Sequence, residues 1–237
     1  MYKDIQQYLD STYLKTAAEA GISEEENKKI VFSLVDEAIK YNFACIMIRP
    51  KYIAEIFKII NQKKSLTKLG TVVDFPLGDS LTKQKVNEAI ISIDNGAHDI
   101  DFVCDYNAFK RGNFQKFDND IIEGTKICVQ RKRIAKWIIE TGALSREEIM
   151  KITKRIVSLV QDNFYESTKN IYIKTSTGYY NGAGATISDV KLIKSFSKNL
   201  KIKASGGIYS YQFAKDLIVV GADRIGTSKA KLIYNKE

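Results

Sequence analysis

Two lysines stand at equivalent positions in two apolar segments of the C-terminal third of the chain. Lys174 follows Ile173 and precedes Thr-Ser-Thr-Gly, and Lys203 follows Ile202 and precedes Ala-Ser-Gly-Gly. Side chains alternate between the faces of a β-strand, so isoleucines that pack on helices would turn both lysines to the opposite face. Amines on neighbouring strands, about 4.8 Å apart, repel each other, which together with burial favours the neutral form that attacks carbonyls. Either lysine alone would be read as an exposed cation, but the matched pair indicates Schiff-base chemistry.

A carboxylate is the next requirement, because forming an imine and breaking a carbon–carbon bond both need proton transfer. Asp99 and Asp101 alternate with apolar residues and therefore share one face of a predicted strand. Asp101 lies nearer the C-terminal end of that strand and is the candidate proton relay, whereas Asp99 could instead form a structural salt bridge. Lys136 is expected either to pair with Asp101 or Asp10 as a buried ion pair or to be purely structural.

Glycine-rich turns follow the last two predicted strands. Gly206 and Gly207 follow Lys203 directly, and the segment 226–228 reads Gly-Thr-Ser. Backbone N–H groups at such turns bind phosphate, and glycine allows the anion to approach closely. The segment 179–186 is expected to be either a flexible loop over the same site or a simple connector.

The elements that must position these residues follow from hydropathy, since short apolar runs alternate with amphipathic segments along the whole chain. We predict strands at 8–12, 43–48, 69–75, 100–103, 134–139, 171–175, 200–204 and 223–226. We predict helices at 24–41, 51–62, 80–95, 114–129, 146–163, 187–198, 210–220 and 228–235. Eight strand–helix repeats predict an α/β fold, a (β/α)8 TIM barrel, with its active site at the C-terminal ends of the strands. The alternative is an open doubly wound sheet, but a Gly-x-Gly-x-x-Gly turn is absent near residue 12.

Composition limits the class of protein. A chain of 237 residues is expected to form a single domain over 1–237. It has one histidine and three cysteines without metal-type spacing, which argues against a zinc site or a disulfide scaffold. No apolar stretch is long enough to span a membrane, and the segment that begins at Met1 lacks the order of a secretory signal, so we expect a soluble, cytoplasmic protein without a membrane partner.

The net charge of +9 could indicate a nucleic-acid surface. The basic residues, however, are spread through predicted helices and alternate there with acidic and apolar residues. We therefore expect no nucleic-acid partner, and a mild positive field would help to collect a phosphorylated substrate.

Several motifs together resemble the deoxyribose-phosphate aldolase family, and the match extends from about Leu9 to Lys229. The motifs are KTSTG at 174–178, KASGGI at 203–208, GADRIGTS at 221–228, FPLG at 75–78 and ETG at 140–142. The resemblance implies that Lys174 forms the imine, that Lys203 lowers the pKa of Lys174 and that Asp101 relays protons through water. It implies supporting roles for Asp10, Thr12 and Lys136. It also implies phosphate contacts at Gly178, Gly206, Gly207, Gly226 and Ser228.

The family reaction is the reversible cleavage of 2-deoxy-D-ribose 5-phosphate into D-glyceraldehyde 3-phosphate and acetaldehyde. The resemblance implies this reaction here, with no metal or organic cofactor, and a possible homodimer. Two alternatives stay open: another phosphosugar Schiff-base aldolase of the transaldolase type, and a non-catalytic barrel that binds a phosphate-bearing ligand.

The chain departs from the family pattern at several positions. Met47 stands where a cysteine is frequent, with Cys45 two residues earlier, so a reactive thiol is not expected there. Lys229 replaces a second serine beside the phosphate turn, which removes a hydroxyl and adds a cation. Ser11 replaces a common histidine, and the loop at 179–186 is one residue longer than expected.

Overall fold

The computed structural model describes residues 4–182 and 184–236. Within them, eight parallel strands form a closed barrel in which each strand pairs with the next and the last pairs with the first. The predicted (β/α)8 barrel is therefore confirmed and the open sheet is excluded. Met1 to Lys3 and Ala183, which belong to the N-terminal segment and the 179–186 loop discussed above, lie outside the described residues.

All eight strands lie where they were predicted, with ends that differ by at most two residues. They are β1 Leu9–Tyr13, β2 Cys45–Ile48, β3 Lys68–Val73, β4 Asp99–Val103, β5 Ile134–Ile138, β6 Ile171–Lys174, β7 Lys201–Ser205 and β8 Arg224–Thr227.

The helices follow the strands and surround the barrel. They are α1 Ala17–Ala20, α2 Glu24–Lys40, α3 Ile53–Gln62, α4 Thr82–Asp94, α5 Tyr106–Lys110, α6 Phe114–Gln130, α7 Arg146–Phe164, α8 Ile187–Phe196, α9 Tyr211–Val219 and α10 Ala230–Asn235. The 3-10 turns are Ile5–Gln7, Pro50–Tyr52, Thr141–Ala143 and Tyr165–Asn170. The eight predicted helices correspond to α2, α3, α4, α6, α7, α8, α9 and α10. The short helices α1 and α5 were missed, because four or five residues are too few for a 3.6-residue period to be visible.

Local capping explains where the helices begin. Ser23 and Ser145 each form a capping box with the glutamate three residues later, at the starts of α2 and α7. Thr186 and Ser210 cap α8 and α9 through their side-chain oxygens. These bonds satisfy N–H groups that have no partner within the first helical turn.

Strand alternation divides the barrel side chains into two sets. On the outer face, residues such as Ile100, Ile173 and Ile202 are fully buried against the helices. On the inner face, the register places Lys174 beside Lys203, and Lys203 beside Arg224. Lys174 and Lys203 thus both face the inside of the barrel, as strand alternation predicted. Among the described residues, no helix is both long and apolar enough to cross a membrane.

Helix α6 approaches the barrel closely at Gly124. A Cβ atom at this position would lie 2.8 Å from Cη2 of Trp137 on β5. The indole of Trp137 is fully buried, stacks on Phe102 at 4.6 Å between ring centroids and donates a hydrogen bond to Thr125. Both rings are therefore fixed and cannot move aside at low cost.

We expect Gly124→Ala to destabilise the protein by about 1–2 kcal/mol. Overpacking of a core costs about 1–3 kcal/mol, which exceeds the roughly 1 kcal/mol that alanine gains over glycine in a helix. Urea denaturation would measure the change, with Lys126→Ala on the exposed face of α6 as a control that should stay within about 0.5 kcal/mol of wild type. A Gly124→Ala protein as stable as wild type would contradict the close packing.

Candidate active site

Seven charged side chains fill the inside of the barrel, and each belongs to a residue that is at most 9% exposed. We call them the interior charge cluster: Asp10, Asp99, Asp101, Lys136, Lys174, Lys203 and Arg224. They come from strands β1, β4, β5, β6, β7 and β8. Because buried charges are costly unless they are paired, their mutual arrangement decides which of them stays ionised.

Asp101 lies at the centre of the interior charge cluster. Its Oδ2 accepts hydrogen bonds from both Lys174 Nζ, at 2.9 Å, and Lys203 Nζ, at 2.8 Å. Its Oδ1 accepts from Lys136 Nζ at 3.0 Å. The structure therefore brings the three residues that were singled out from sequence into direct contact, with one carboxylate oxygen shared by two amines.

Asp10 and Asp99 complete the ion pairing. Asp10 lies 2.7 Å from Lys203 Nζ and 2.5 Å from Arg224 Nη2. Asp99 accepts from Lys136 at 2.6 Å and lies 3.5 Å from Arg224. Lys136 does contact Asp101, and it lies 3.7 Å from Asp10, but its shortest ion pair is with Asp99. Asp99 thus forms salt bridges with Lys136 and Arg224 inside the barrel.

The interior charge cluster explains the state of Lys174. Burial lowers the pKa of Lys174 to about 8; Asp101 opposes this shift and Lys203 adds to it. Burial alone would raise the pKa of Asp101, but Lys136, Lys174 and Lys203 together hold it well below its usual range. Lys136, Lys203 and Arg224 carry three positive charges against three carboxylates. Lys174 is the fourth cation, so the loss of its proton leaves the cluster neutral.

A small apolar cluster lies on β2 and β3 and just after β1. Leu14, Cys45, Met47 and Val72 form a separate buried cluster, against which Phe75 packs. Burial raises the pKa of the Cys45 thiol well above its ordinary value, so neither Cys45 nor Met47 offers a reactive thiolate. Of this cluster, Leu14 also lines the cavity that contains Lys174.

A cavity of about 600 Å³ opens at the C-terminal ends of the strands. Lys174 and Lys203 both line it. All five residues predicted to contact phosphate line it as well, namely Gly178, Gly206, Gly207, Gly226 and Ser228, together with Thr12 and Lys229. A Cβ atom on Gly226 would lie 3.0 Å from Cε of Lys203, so the absence of a side chain there leaves room for the lysine.

The loop after β6 is attached to the turn after β7. Ala185 N–H donates to the carbonyl oxygens of Ser205 and Gly206, at 3.0 and 3.1 Å. A Cβ atom on Gly184 would collide with the Gly206 carbonyl oxygen, so glycine is required for this contact. In its described part, the 179–186 loop is thus docked on the glycine turn after β7.

Two buried residues near the site were missed as functional candidates. Arg224 was quoted only within a motif, although alternation along β8 gives it the same face as Gly226 and so could have identified it. Glu140 shares a face with Lys136 in the sequence and is 1% exposed, but its side chain follows the end of β5, where strand parity no longer applies.

One group of potential metal ligands occurs among the described residues, formed by Asp10, Cys45 and Asp99. Both carboxylates are already paired with cations of the interior charge cluster, and burial keeps the Cys45 thiol protonated. This donor set does not suit a metal ion, which would have to displace Lys136 and Arg224.

Comparisons with known proteins find relatives over nearly the whole chain, although no family model matches the sequence. The deoxyribose-phosphate aldolase of Mycoplasmoides pirum is 40% identical over 225 residues, which cover 93% of this chain and 94% of that protein. The solved structure of the aldolase QR15 has a TM-score of 0.81 and 30% identity, and the match covers 98% of this chain and 95% of that one. The tetrameric deoxyribose phosphate aldolase from Aeropyrum pernix gives a TM-score of 0.77 at 27% identity, with 98% and 89% covered.

We expect Arg224→Leu to lower the free energy of unfolding by about 3–5 kcal/mol, because it leaves Asp10 buried without one of its cations. Arg131→Leu is a matched control: Arg131 pairs with Asp94 at 2.9 Å, but both side chains are about half exposed. Such an exposed pair contributes only about 0–1 kcal/mol. Denaturant titration of both variants tests the difference, and equal losses would argue against a dependence on buried charge balance.

Proposed function

Because the chain belongs to the deoxyribose-phosphate aldolase family, we propose that it reversibly cleaves 2-deoxy-D-ribose 5-phosphate through an imine on Lys174. The products are D-glyceraldehyde 3-phosphate and acetaldehyde. The observation that carries this proposal is the Asp101 carboxylate oxygen shared between Lys174 and Lys203. It supports the proposal because Lys174, whose pKa is lowered, and Lys203 both line the cavity and share a carboxylate that could accept a proton.

The reaction begins when neutral Lys174 attacks the aldehyde carbon of the open-chain sugar. Loss of water gives a protonated imine, which acts as an electron sink. Asp101 and a water molecule then accept the proton of the C3 hydroxyl, the C2–C3 bond breaks, and D-glyceraldehyde 3-phosphate leaves. The two electrons of that bond form an enamine on Lys174. Protonation of the enamine carbon and addition of water release acetaldehyde and regenerate the free amine.

The remaining charged residues support these steps. Lys203 disfavours a second positive charge at Lys174 and compensates Asp10 and Asp101. Lys136 compensates the other oxygen of Asp101, and Thr12 lines the cavity beside Asp10. The glycine turns after β6, β7 and β8 are suited to the 5-phosphate, because backbone N–H groups can reach an anion there without a side chain in between.

Location and assembly complete the proposal. We propose a cytoplasmic enzyme, supported by three cysteines that occur as free, buried thiols. We also propose that the protein forms a homodimer. The related Aeropyrum pernix enzyme is described as tetrameric.

Reduction of the imine tests the proposal directly. With acetaldehyde and borohydride, we expect a stable ethyl group on Lys174, identified by peptide mass spectrometry. Wild-type enzyme should also release acetaldehyde from 2-deoxy-D-ribose 5-phosphate. An adduct on Lys203 alone, or none, would overturn the assigned nucleophile. Turnover of a phosphosugar without acetaldehyde would favour the transaldolase type, and binding without turnover would favour the non-catalytic barrel.

The pH dependence tests the role of the charge on Lys174. Only the neutral amine reacts, so kcat/KM should fall as the pH drops below the lowered Lys174 pKa of about 8. Lys203→Leu removes a neighbouring cation and should raise that pKa. The fall of kcat/KM on the acid side of the pH profile, the acid limb, should then begin at higher pH, and the overall activity should drop. Lys191→Leu, an exposed position on α8, should leave the limb where it is. An unmoved limb in Lys203→Leu would refute electrostatic tuning by Lys203.

A further inference from the structure

Glu140 is a buried carboxylate beside the β6 turn, which we define as residues 175–179. It lies just after β5 with a positive φ of 56°, a conformation that is unfavourable for a residue other than glycine. The next residue, Thr141, donates its N–H to the carbonyl oxygen of Thr175 at 2.8 Å. The backbone therefore holds Glu140 against the β6 turn in a strained conformation, as often occurs at functional positions.

The side chain of Glu140 organises this turn. Its Oε2 accepts the backbone N–H of Thr177 at 3.1 Å and also the Thr177 hydroxyl through a short hydrogen bond. The Thr177 hydroxyl oxygen in turn accepts the N–H of Tyr179 at 3.0 Å. Thr177, Gly178 and Tyr179 all line the cavity that contains Lys174. One buried carboxylate oxygen thus determines the conformation of a whole section of cavity wall.

The other features of Glu140 are costly for folding. Burial raises the pKa of the carboxyl group, while the two Thr177 hydrogen bonds and the charge of Lys174 act in the opposite direction. The second oxygen, Oε1, is buried and has no hydrogen-bond partner among the described residues. An unsatisfied buried acceptor is destabilising, so stability alone does not account for a glutamate here.

The β6 turn is fixed again on the far side of the barrel mouth. The ring of Tyr179 meets that of Phe75 edge-on, with 5.0 Å between centroids, and Arg49 lies close enough to the Tyr179 hydroxyl to oppose the rise that burial causes in its pKa. Arg49 stacks on Phe75 and donates to the Leu14 carbonyl oxygen at 2.6 Å. In a closed barrel of eight strands, β6 lies opposite β2, so Tyr179 bridges the mouth. Glu140 anchors the near end of this bridge.

We propose that Glu140 is a positioning residue that holds the β6 turn as a hydrogen-bond acceptor and thereby sets the preference for a phosphorylated substrate. This inference rests on the proposed function. Glu140 does not line the cavity, so it acts through Thr177 and Gly178 and not by contact with the sugar. Replacing Glu140 should therefore weaken binding of the phosphate end of the substrate. The size of this effect should depend on whether the new side chain keeps an acceptor oxygen, not on whether it keeps a negative charge.

Kinetics of two substitutions separate the acceptor from the charge. Glu140→Ala should lose about tenfold or more in kcat/KM for 2-deoxy-D-ribose 5-phosphate, mainly through KM, because the turn loses its anchor. The loss for unphosphorylated 2-deoxyribose should be smaller. Glu140→Gln keeps a carbonyl oxygen for Thr177 and should stay within about threefold of wild type, with an unchanged pH profile.

Glu26→Ala is the matched control. Glu26 on α2 also accepts both the N–H and the hydroxyl of a single residue, Ser23, through its Oε2, but at an exposed position. It contacts neither the β6 turn nor the residues that fix Tyr179, so its loss should leave the ratio of the two substrates unchanged. Equal losses on both substrates in Glu140→Ala would reduce Glu140 to a structural residue, and a Glu140→Gln enzyme as impaired as Glu140→Ala would point to the charge instead.

Hydrogen exchange gives a readout that needs no turnover. The amides of Thr177 and Tyr179 should exchange faster in Glu140→Ala than in wild type, and should stay protected in Glu140→Gln. Unchanged exchange in Glu140→Ala would overturn the anchoring role even if the enzyme is active. Faster exchange in Glu140→Ala, together with a wild-type protein that does not catalyse the reaction, would support the anchoring role and refute only the proposed reaction.

If Glu140→Ala does not fold, Thr177→Val is the second variant. It removes the acceptor for Tyr179 N–H and should lower the preference for the phosphorylated sugar; an unaltered preference would count against the proposal.

Discussion

One carboxylate oxygen shared by two lysine amines is the interaction on which the inside of this barrel depends. Asp101 binds Lys174 and Lys203 together because the surrounding cations hold it in its ionised form although it is fully buried. Buried charges are tolerated when they are compensated. Three carboxylates balance Lys136, Lys203 and Arg224, and Lys174 is left as the cation whose proton is lost most easily. The reactivity of one amine is thus a property of the whole interior charge cluster.

The barrel interior is also divided by strand. The β1–β3 side contributes Leu14, Met47 and Val72, which exclude water without offering a reactive group. Strands β4 to β8 contribute most of the charges, and the turns after β6, β7 and β8 line the cavity with glycines. A ligand in the cavity would therefore meet glycine turns at the rim and charged groups at the base, beside an apolar cluster.

Burial has opposite effects on the two functional groups that flank β6. It lowers the pKa of Lys174 and raises that of Glu140, and in both cases the neutral form gains. In the proposed reaction, neutrality allows Lys174 to act as the nucleophile. For Glu140, the important property is the acceptor oxygen that fixes Thr177, so the same low-dielectric environment serves chemistry at one residue and geometry at the other. The bridge from Glu140 through Tyr179 to Arg49 joins opposite sides of the mouth.

The sequence by itself determined the strand–helix order and the inward face of Lys174, Lys203 and Asp101, because alternation along a strand is a local property. It also located the glycine turns and most helix starts, which depend on residues within one turn of chain. Only the tertiary structure decided which charges share a partner. Arg224 meets Asp10 across 214 residues because β8 closes on β1, and Glu140 reaches Thr177 from beyond the end of its strand. Contacts of this kind arise from barrel closure and loop geometry, which no local periodicity encodes.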